Sequence, residues 1–178
     1  AKSTDCGQSW TDLGVIIQPQ DRTQHCDTNG GTFVVSGGWM YIWFKDRDAA
    51  GFKYLCAARA SLQSVLDAAK QGTATPFSKW DGAAFNSPGI QGPATAIEVG
   101  NPTTGWFCVA WNTFRNKFIL VGTDLTPNTN LFYSDSPDGI TWSARQVLET
   151  DPASSVYPSL IGLGPDPKIT DQQFFAYY

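Results

Sequence analysis

The sequence is poor in charged side chains and contains a single histidine. Only 16% of its 178 residues are charged, and 12 basic side chains stand against 16 acidic ones, for a net charge of −4. Such a chain lacks the basic surface with which proteins bind phosphate backbones, which argues against DNA or RNA as a partner. Because His25 is the only histidine, a histidine-rich metal centre is excluded.

Long apolar runs are also missing. The longest apolar window, Phe33 to Phe44, spans 12 residues and is interrupted by Ser36, Gly37 and Gly38. A membrane-spanning helix needs roughly 20 apolar residues, so we predict no membrane span. The first residues show no charged start followed by an apolar stretch, and we therefore expect a secreted protein whose signal has already been removed.

Cysteines are few, and their spacing does not suit a zinc site. Cys6, Cys26, Cys56 and Cys108 lie far apart, whereas structural zinc ligands come in close pairs. We expect two disulfides in an extracytoplasmic protein, with four buried free thiols as the alternative. The sequence does not choose among the three pairings.

What the sequence does contain is typical of an all-β protein. It has 17 Gly, 11 Pro, 7 Trp, 11 Phe and 6 Tyr beside only two Glu, which favours short strands joined by tight turns. One helix is predicted over 62–70, with Ser61 as its N-cap and Gly72 as its end. We place it as an insertion between a third and a fourth strand.

Two segments far apart in the chain carry the same set of spaced turn residues. They are STDCGQSW at 3–10 and SPDGITW at 136–142. Asp5 and Asp138 are placed to bind turn amides, and Trp10 and Trp142 to cover a hairpin with a large apolar face. A third, degraded copy is Trp80-Asp81-Gly82, with Phe85 in the aromatic position. We predict structural roles for all of these residues.

Both complete segments resemble the Asp-box, a turn between the outer two strands of β-propeller blades. Strand patterns around them give four strands per unit. The predicted strands are 11–17, 32–36, 39–45, 52–60 and one near Phe85, then 106–112, 117–122, 131–134 and 145–149, then 159–163 and 173–178. We therefore predict a single all-β domain over 1–178, built from propeller blades of four antiparallel strands.

The predicted strands amount to about three blade equivalents, which is too few to close a ring. The first strands form an outer pair and the last strands an inner pair, so the two ends are complementary halves of one blade. Two alternatives follow: the chain is part of a longer propeller, or two copies join as a homodimer with six blades. Either arrangement would protect the edge strands from uncontrolled pairing.

Longer strings resemble glycoside hydrolases of the five-bladed propeller group, related to the arabinanase and furanosidase families. They are AARASLQSVLDAAKQG, FSKWDGAAFNSPGIQGPATAI and WFCVAWNTFRNKFILV, together with YPSLIG and FFAYY near the end. The resemblance implies a propeller that acts on carbohydrate. It also implies an Asp just before the Phe that opens an inner strand, where this chain has Thr32 before Phe33.

Glycoside cleavage needs two carboxyl groups on either side of the scissile bond. In a propeller, the links from an outermost strand to the next innermost strand open on the face where ligands bind. The predicted links are 18–31, 88–105 and 149–158, and they supply Asp27, Glu98 and Asp151 as candidate catalytic acids. His25, Trp106 and Tyr157 are the candidate substrate-binding residues.

Other aromatic and charged residues are given less prominent roles. Most of Trp39, Trp43, Trp106 and Trp111 are expected in the core, with one free to stack on a sugar ring. Arg59 is expected to pair with a carboxylate or with backbone carbonyls. No cofactor and no metal centre are predicted, although Asp and carbonyl oxygens leave a structural calcium ion as an alternative.

These observations lead to two hypotheses about function. The first is a secreted glycoside hydrolase-like propeller that acts on or binds a glycan through carboxylates of the links. The alternative is a noncatalytic extracellular propeller that binds glycans or assembles with itself. Thr32 favours the alternative, and the set of Asp27, Glu98 and Asp151 favours the enzyme.

Overall fold

The computed structural model describes residues 1–20, 29–47, 53–97, 104–124, 130–150 and 157–178. Its first group of elements is β1 (Asn29–Ser36), β2 (Trp39–Arg47), β3 (Lys53–Ser61), α1 (Leu62–Lys70), β4 (Ser78–Trp80) and β5 (Phe85–Pro88). The second group is β6 (Thr104–Asn112), β7 (Lys117–Asp124), β8 (Asn130–Ser136) and β9 (Gln146–Thr150). The last strands are β10 (Ser159–Gly162), β11 (Ile169–Thr170) and β12 (Phe174–Tyr177).

The all-β prediction is confirmed, with one short helix and curled sheets that agree with partial propeller blades. The strand orders are β1-β2-β3-β4-β5 in the first sheet and β11-β6-β7-β8-β9 in the second, while β10 and β12 form a two-stranded sheet. All neighbouring strands pair antiparallel except β11, which runs parallel to β6. The four strands predicted for the second unit are those of β6 to β9.

The expectation of four strands in each sheet was incomplete, because two short strands were not predicted. In β4, Lys79 pairs with Ala58 of β3, which adds a strand beside β5. In the second sheet, the connection from β10 to β12 places Thr170 opposite Asn112 and so forms β11. Runs of two or three residues are too short to show a strand period in the sequence.

The strand predicted over 11–17 was wrong. Thr11 forms only an isolated bridge with Lys2. Beyond it, Gly14 adopts φ +109 and donates its amide to the Asp12 carboxylate at 2.9 Å. This local turn competes with strand pairing and breaks the extended segment.

The helix prediction is confirmed in position and cap. Helix α1 begins at Leu62, and the Ser61 hydroxyl accepts a hydrogen bond from the Ser64 amide at 3.4 Å. The helix packs Val65 against the outer face of the first sheet, between β3 and β4 in chain order. A capped, amphipathic nine-residue segment therefore occupies the insertion that was expected there.

The two large sheets pack face to face over the main core. Its buried side chains are Val34, Trp43, Leu55 and Ala57 from the first sheet, Phe107, Val109, Phe118, Leu120 and Phe132 from the second, and Ile97 and Trp142 from connecting segments. Alternate residues of the same strands face outward, where they form a second cluster on the first sheet and a third on the second sheet. This alternation follows from the period of two in a β-strand.

The first and last segments of the chain cover opposite outer faces of this stack. Ile16 and Ile17 pack against the outer cluster of the first sheet. Leu160 of β10 and Phe174 of β12 pack against the outer cluster of the second sheet. The two segments are thus separated by both sheets, and their joining into one blade with another copy or with further chain stays a prediction.

Candidate functional site

The glycan site was predicted at one end of the sheets, the end at which β6 begins. Four of the predicted site residues, His25, Asp27, Glu98 and Asp151, lie outside the described residues. The two that are described, Trp106 and Tyr157, lie next to each other here. Their ring centroids are 5.3 Å apart and their planes meet at 65°, an edge-to-face contact. We call them the aromatic pair.

Trp106 reaches solvent because β6 is irregular at its beginning. The register between β6 and β7 shifts between Thr104 and Phe107, which is a β-bulge or a related irregularity. Near the beginning of a mostly buried strand, Trp106 is 37% exposed. The Thr123 hydroxyl accepts a hydrogen bond from the Trp106 amide at 3.2 Å and holds the distorted backbone. Bulges of this kind redirect side chains and are common next to functional sites.

Tyr157 is held in an unusual backbone conformation just before β10. Its φ is +58, in the left-handed region that non-glycine residues rarely adopt. The ring is 70% exposed and contacts Trp106, so it is presented to solvent rather than packed in the core. Strained backbone of this type is concentrated at binding sites.

A buried polar network fixes the strand ends beneath the aromatic pair. The Arg145 guanidinium forms an ion pair with Asp124 at the end of β7 and donates to the Thr104 hydroxyl at 2.6 Å. The same guanidinium stacks over the Phe132 ring at 4.2 Å. Sequence reasoning missed this network, because its members come from different strands and share no motif.

A second polar group surrounds Thr32, the residue at which this chain differs from the hydrolases that the sequence resembles. Thr32, at the beginning of β1, is buried and accepts a hydrogen bond from the Lys168 ammonium at 3.3 Å. Lys168 also reaches the Cys108 sulfur at 3.4 Å. At the position where the resemblance implies an acid, this chain therefore has a hydroxyl that is hydrogen-bonded to a lysine ammonium.

The expectation of two disulfides was wrong, because no disulfide is found in the described part of the chain. Cys6 is an exposed free thiol in the first turn. Cys108 is a buried free thiol whose sulfur accepts the Leu160 amide at 3.4 Å. Cys56 is not in a disulfide either, so three of the four cysteines are accounted for without a bridge and two bridges cannot form. Cys108 is therefore placed by its burial under β10 and not by a disulfide bond.

Lys79 is buried in the first sheet and fully hidden from solvent. Its ammonium donates to the backbone carbonyls of Gln18 at 2.5 Å and Gly92 at 2.8 Å, and lies 3.8 Å from the Asp46 carboxylate. Burial lowers the pKa of Lys79, and the charge of Asp46 opposes that shift. These contacts give Lys79 a structural role, tying two connecting segments to β4.

The two repeated turns are each held by hydrogen bonds from within the turn to the Asp carboxylate. In the second turn, Asp138 accepts the amides of Ile140 and Thr141 at 2.8 and 2.7 Å. In the first turn, Asp5 accepts the Ser9 amide at 2.9 Å and the Ser9 hydroxyl at 2.6 Å. The Ser9 hydroxyl and amide, with Ser3, lower the pKa of Asp5 to about 2. Both carboxylates thus stabilise their own turns, as the side chain of a short acid does.

The tryptophans of these turns lie in different surroundings. Trp142 is 7% exposed and packs edge to face against Trp43 in the core, with centroids 6.3 Å apart. Trp10 is 66% exposed and donates its ring N–H to the Gly7 carbonyl at 3.1 Å. The third, degraded turn connects β4 and β5, where Asp81 accepts the amides of Ala83 and Ala84.

The expected pairing of Arg59 with a carboxylate or backbone carbonyl is not found among the described residues. Its guanidinium lies between the rings of Trp39 and Phe85, 4.2 and 4.4 Å from their centroids. One terminal nitrogen lies 3.5 Å from the Tyr41 hydroxyl oxygen. This aromatic setting was missed because Arg59 and its neighbours come from different strands of the first sheet.

Two further properties concern the described part of the chain as a whole. Within it, no three or more His, Cys, Asp or Glu side chains are grouped in a way that could hold a metal ion. Helix α1, with nine residues, is far too short to span a bilayer, and the described ranges contain no helix that is long and apolar enough to do so.

No family model matches the sequence, and no curated protein matches it either. Among solved structures, the chain is similar to an α-L-arabinofuranosidase from Podospora anserina, determined in complex with cellotriose. The identity is 20% and the TM-score 0.46, over 78% of this chain and 37% of that one. The chain thus spans little more than a third of that enzyme, and at this similarity the comparison defines neither an activity nor a substrate here.

Proposed function

We propose that this chain is part of a glycan-binding β-propeller and that it binds carbohydrate at the aromatic pair. The observation that carries the proposal is the exposed, edge-to-face contact of Trp106 and Tyr157. Sugar rings have an apolar face that packs on aromatic planes, and sites for them combine such planes with a few polar groups. Two exposed rings fixed by a backbone irregularity and a positive φ fit this role better than packing in a core.

The contacts that hold the aromatic pair support binding. Trp106 is held by Thr123 from β7, and the buried pair of Arg145 and Asp124 fixes the strand ends below it. A platform that is ordered before the ligand arrives loses little conformational freedom on binding. The aromatic pair also lies where the predicted links enter the innermost strands, which is the ligand-binding end in our sequence interpretation.

A binding titration with neutral oligosaccharides tests this proposal. Arabino-, xylo- and cello-oligosaccharides are titrated by calorimetry against the wild-type chain, Trp106→Ala and Tyr157→Ala. Either substitution should weaken binding at least about tenfold, in line with the weight of exposed aromatic anchors. Trp10→Ala is the matched control, since it removes another exposed tryptophan and should leave binding unchanged. Equal affinity in the wild type and Trp106→Ala would refute the assignment.

Catalysis is a second candidate, favoured by the position of the predicted acids in the chain. Asp151 precedes Tyr157 by six residues, and Glu98 lies in the link that leads into β6. We propose Asp27, Glu98 and Asp151 as the acids, with His25 as a substrate-binding residue. Aryl glycosides and polysaccharides should then be cleaved by the wild type and not by Asp27→Asn or Glu98→Gln. Unchanged cleavage in both variants would reject these catalytic roles.

The noncatalytic alternative has its own observation in the hydrogen bond from Lys168 to Thr32. If Thr32 marks the loss of a catalytic acid, the wild-type chain should show no hydrolysis in the same assay. Thr32→Asp then has no activity to lose, so its hydrolysis should not fall below that of the wild type. Secretion, and completion of the ring by a second copy or by further chain, belong to the same proposal. The mass of the native protein in solution distinguishes the latter two.

A further inference from the structure

An open cleft lies between the two large sheets, at the end opposite the aromatic pair. It has a volume of about 590 Å³, and its walls include Trp39, Tyr41, Arg59, Trp80, Phe85 and Trp111. Ligand pockets in proteins typically have volumes of about 300 to 1,000 Å³, so the volume of this cleft suits one or two sugar residues. We call it the Arg59 cleft.

The Arg59 cleft is separate from the glycan site proposed above. Trp106 lies near the beginning of β6, and Trp111 lies near its end. They are five positions apart along the strand, which corresponds to about 17 Å along the sheet. A ligand in the Arg59 cleft therefore does not contact the aromatic pair.

Arg59 has donors that the protein does not use. Its Nε is buried without a hydrogen-bond partner, and its Nη2 makes none among the described residues. The guanidinium also forms no salt bridge within the described ranges, and it is the only cation among the described residues that line the cleft. Nε is too deeply buried for a ligand to reach, so Nη2 is the unused donor with which a carboxylate in the cleft could form a charge-assisted hydrogen bond.

The one acidic side chain in the cleft is already satisfied. Asp138 accepts hydrogen bonds from Ile140, Thr141 and Ser136 within its own turn. Its charge is therefore taken up by the turn rather than by Arg59. This leaves a guanidinium held between two aromatic rings, with half-exposed tryptophans beside it.

We propose that the Arg59 cleft binds a sugar that carries a carboxylate, a uronic acid residue of an acidic glycan. The carboxylate would accept a hydrogen bond from Nη2 of Arg59, and the sugar ring would pack on the tryptophans of the cleft. A carboxylate alone would need only the cation, so the aromatic walls favour a sugar over other acids. The inference rests on the proposed glycan-binding function and extends it to a second, charge-selective site.

The test compares ligands that differ only in charge. A xylo-oligosaccharide bearing one glucuronic acid and the methyl ester of the same compound are titrated by calorimetry against the wild type. The acid should bind at least about tenfold more tightly than its ester, since charge-assisted hydrogen bonds are roughly twice as strong as neutral ones. Because the protein is unchanged in this comparison, misfolding of a variant cannot produce the result.

Variants then locate the binding. Arg59→Gln should reduce affinity for the acid to that of the ester, Arg59→Lys should recover only part of it, and Trp106→Ala should leave the difference between acid and ester intact. Equal binding of acid and ester by the wild type, or an undiminished difference in Arg59→Gln, would overturn the proposal. Equally tight binding of acetate or of a peptide carboxylate would show that the cleft recognises no sugar.

These arms separate the two proposals. If neutral oligosaccharides bind and depend on Trp106 while the acid shows no advantage, only the Arg59 cleft is rejected. If neutral oligosaccharides do not bind but the acid binds through Arg59, the aromatic pair is rejected and the cleft is the glycan site. Binding of none of the compounds rejects both.

Discussion

Replacing Gly139 with alanine should destabilise the protein at a contact between the second turn and the main core. Gly139 has φ +77, a conformation that costs a residue with a Cβ atom about 1 kcal/mol. A Cβ built there would lie 2.8 Å from Cζ2 of Trp43 and 3.4 Å from the Phe118 ring. The Trp43 ring is fully buried and donates its N–H to the Gly139 carbonyl at 2.8 Å, so it has little room to retreat.

The magnitude follows from these two contributions. Overpacking of a core typically costs about 1–3 kcal/mol, which is added to the backbone strain. We therefore expect the free energy of unfolding to fall by about 2–4 kcal/mol in total. Gly72→Ala is a matched control, because Gly72 has the same φ of +77 and no atom within 4 Å of an added Cβ. That variant should lose only about 1 kcal/mol.

Urea unfolding followed by tryptophan fluorescence measures the difference. With an m-value of about 2 kcal/mol per M, the midpoint for Gly139→Ala should lie about 0.5–1.5 M below that for Gly72→Ala. An unchanged m-value would show that stability, not compactness, has changed. Equal midpoints for the two variants would refute the reasoning, because backbone strain alone would then explain the loss.

Two further predictions concern charged groups. Burial opposes ionisation of Asp138, but the Thr141 and Ile140 amides and the Ser136 and Thr141 hydroxyls outweigh it and lower its pKa. This carboxylate therefore stabilises the fold above its unfolded pKa of about 3.9, and the stabilisation is lost as the pH falls through the lower folded value. Asp138→Asn should flatten the acid side of the stability curve, and parallel curves for variant and wild type between pH 5 and 2 would contradict this. Lys79→Ala should cost about 3–5 kcal/mol in urea unfolding, because it removes a buried charge from two backbone carbonyls and from the Asp46 carboxylate. Lys117→Ala, at a partly exposed pair with Asp135, should cost at most about 1 kcal/mol. Similar losses in the two variants would count against a structural role for Lys79.

The strands and the helix could be predicted because their signals are local. Strand patterns laid out around the repeated turns marked β6 to β9, and Ser61 with apolar residues at helical spacing marked α1. The turns at Asp5 and Asp138 were equally readable, since each carboxylate binds amides within its own loop. The strand predicted over 11–17 failed for a local reason as well, because Asp12 and Gly14 form a turn there.

The candidate site was predictable only in part. Trp106 was selected as a tryptophan of an innermost strand that could stack on a sugar, and Tyr157 as a member of a link, but their contact depends on the irregularity in β6 and on the positive φ of Tyr157. The irregularity arises from how β6 pairs with β7. The roles of Asp27 and Glu98 remain predictions, since they lie outside the described residues.

The sequence by itself determined the class of fold, the helix and the turns, because capping residues, glycines and apolar spacing act over a few neighbouring positions. Only the tertiary structure decided that Arg59 is stacked between Trp39 and Phe85 and that Cys108 is buried as a thiol beneath β10. These environments are formed by residues from strands distant in the chain. A guanidinium that is lined by aromatic rings and forms no salt bridge among the described residues is a property of packing, and no local pattern encodes which side chains will surround it.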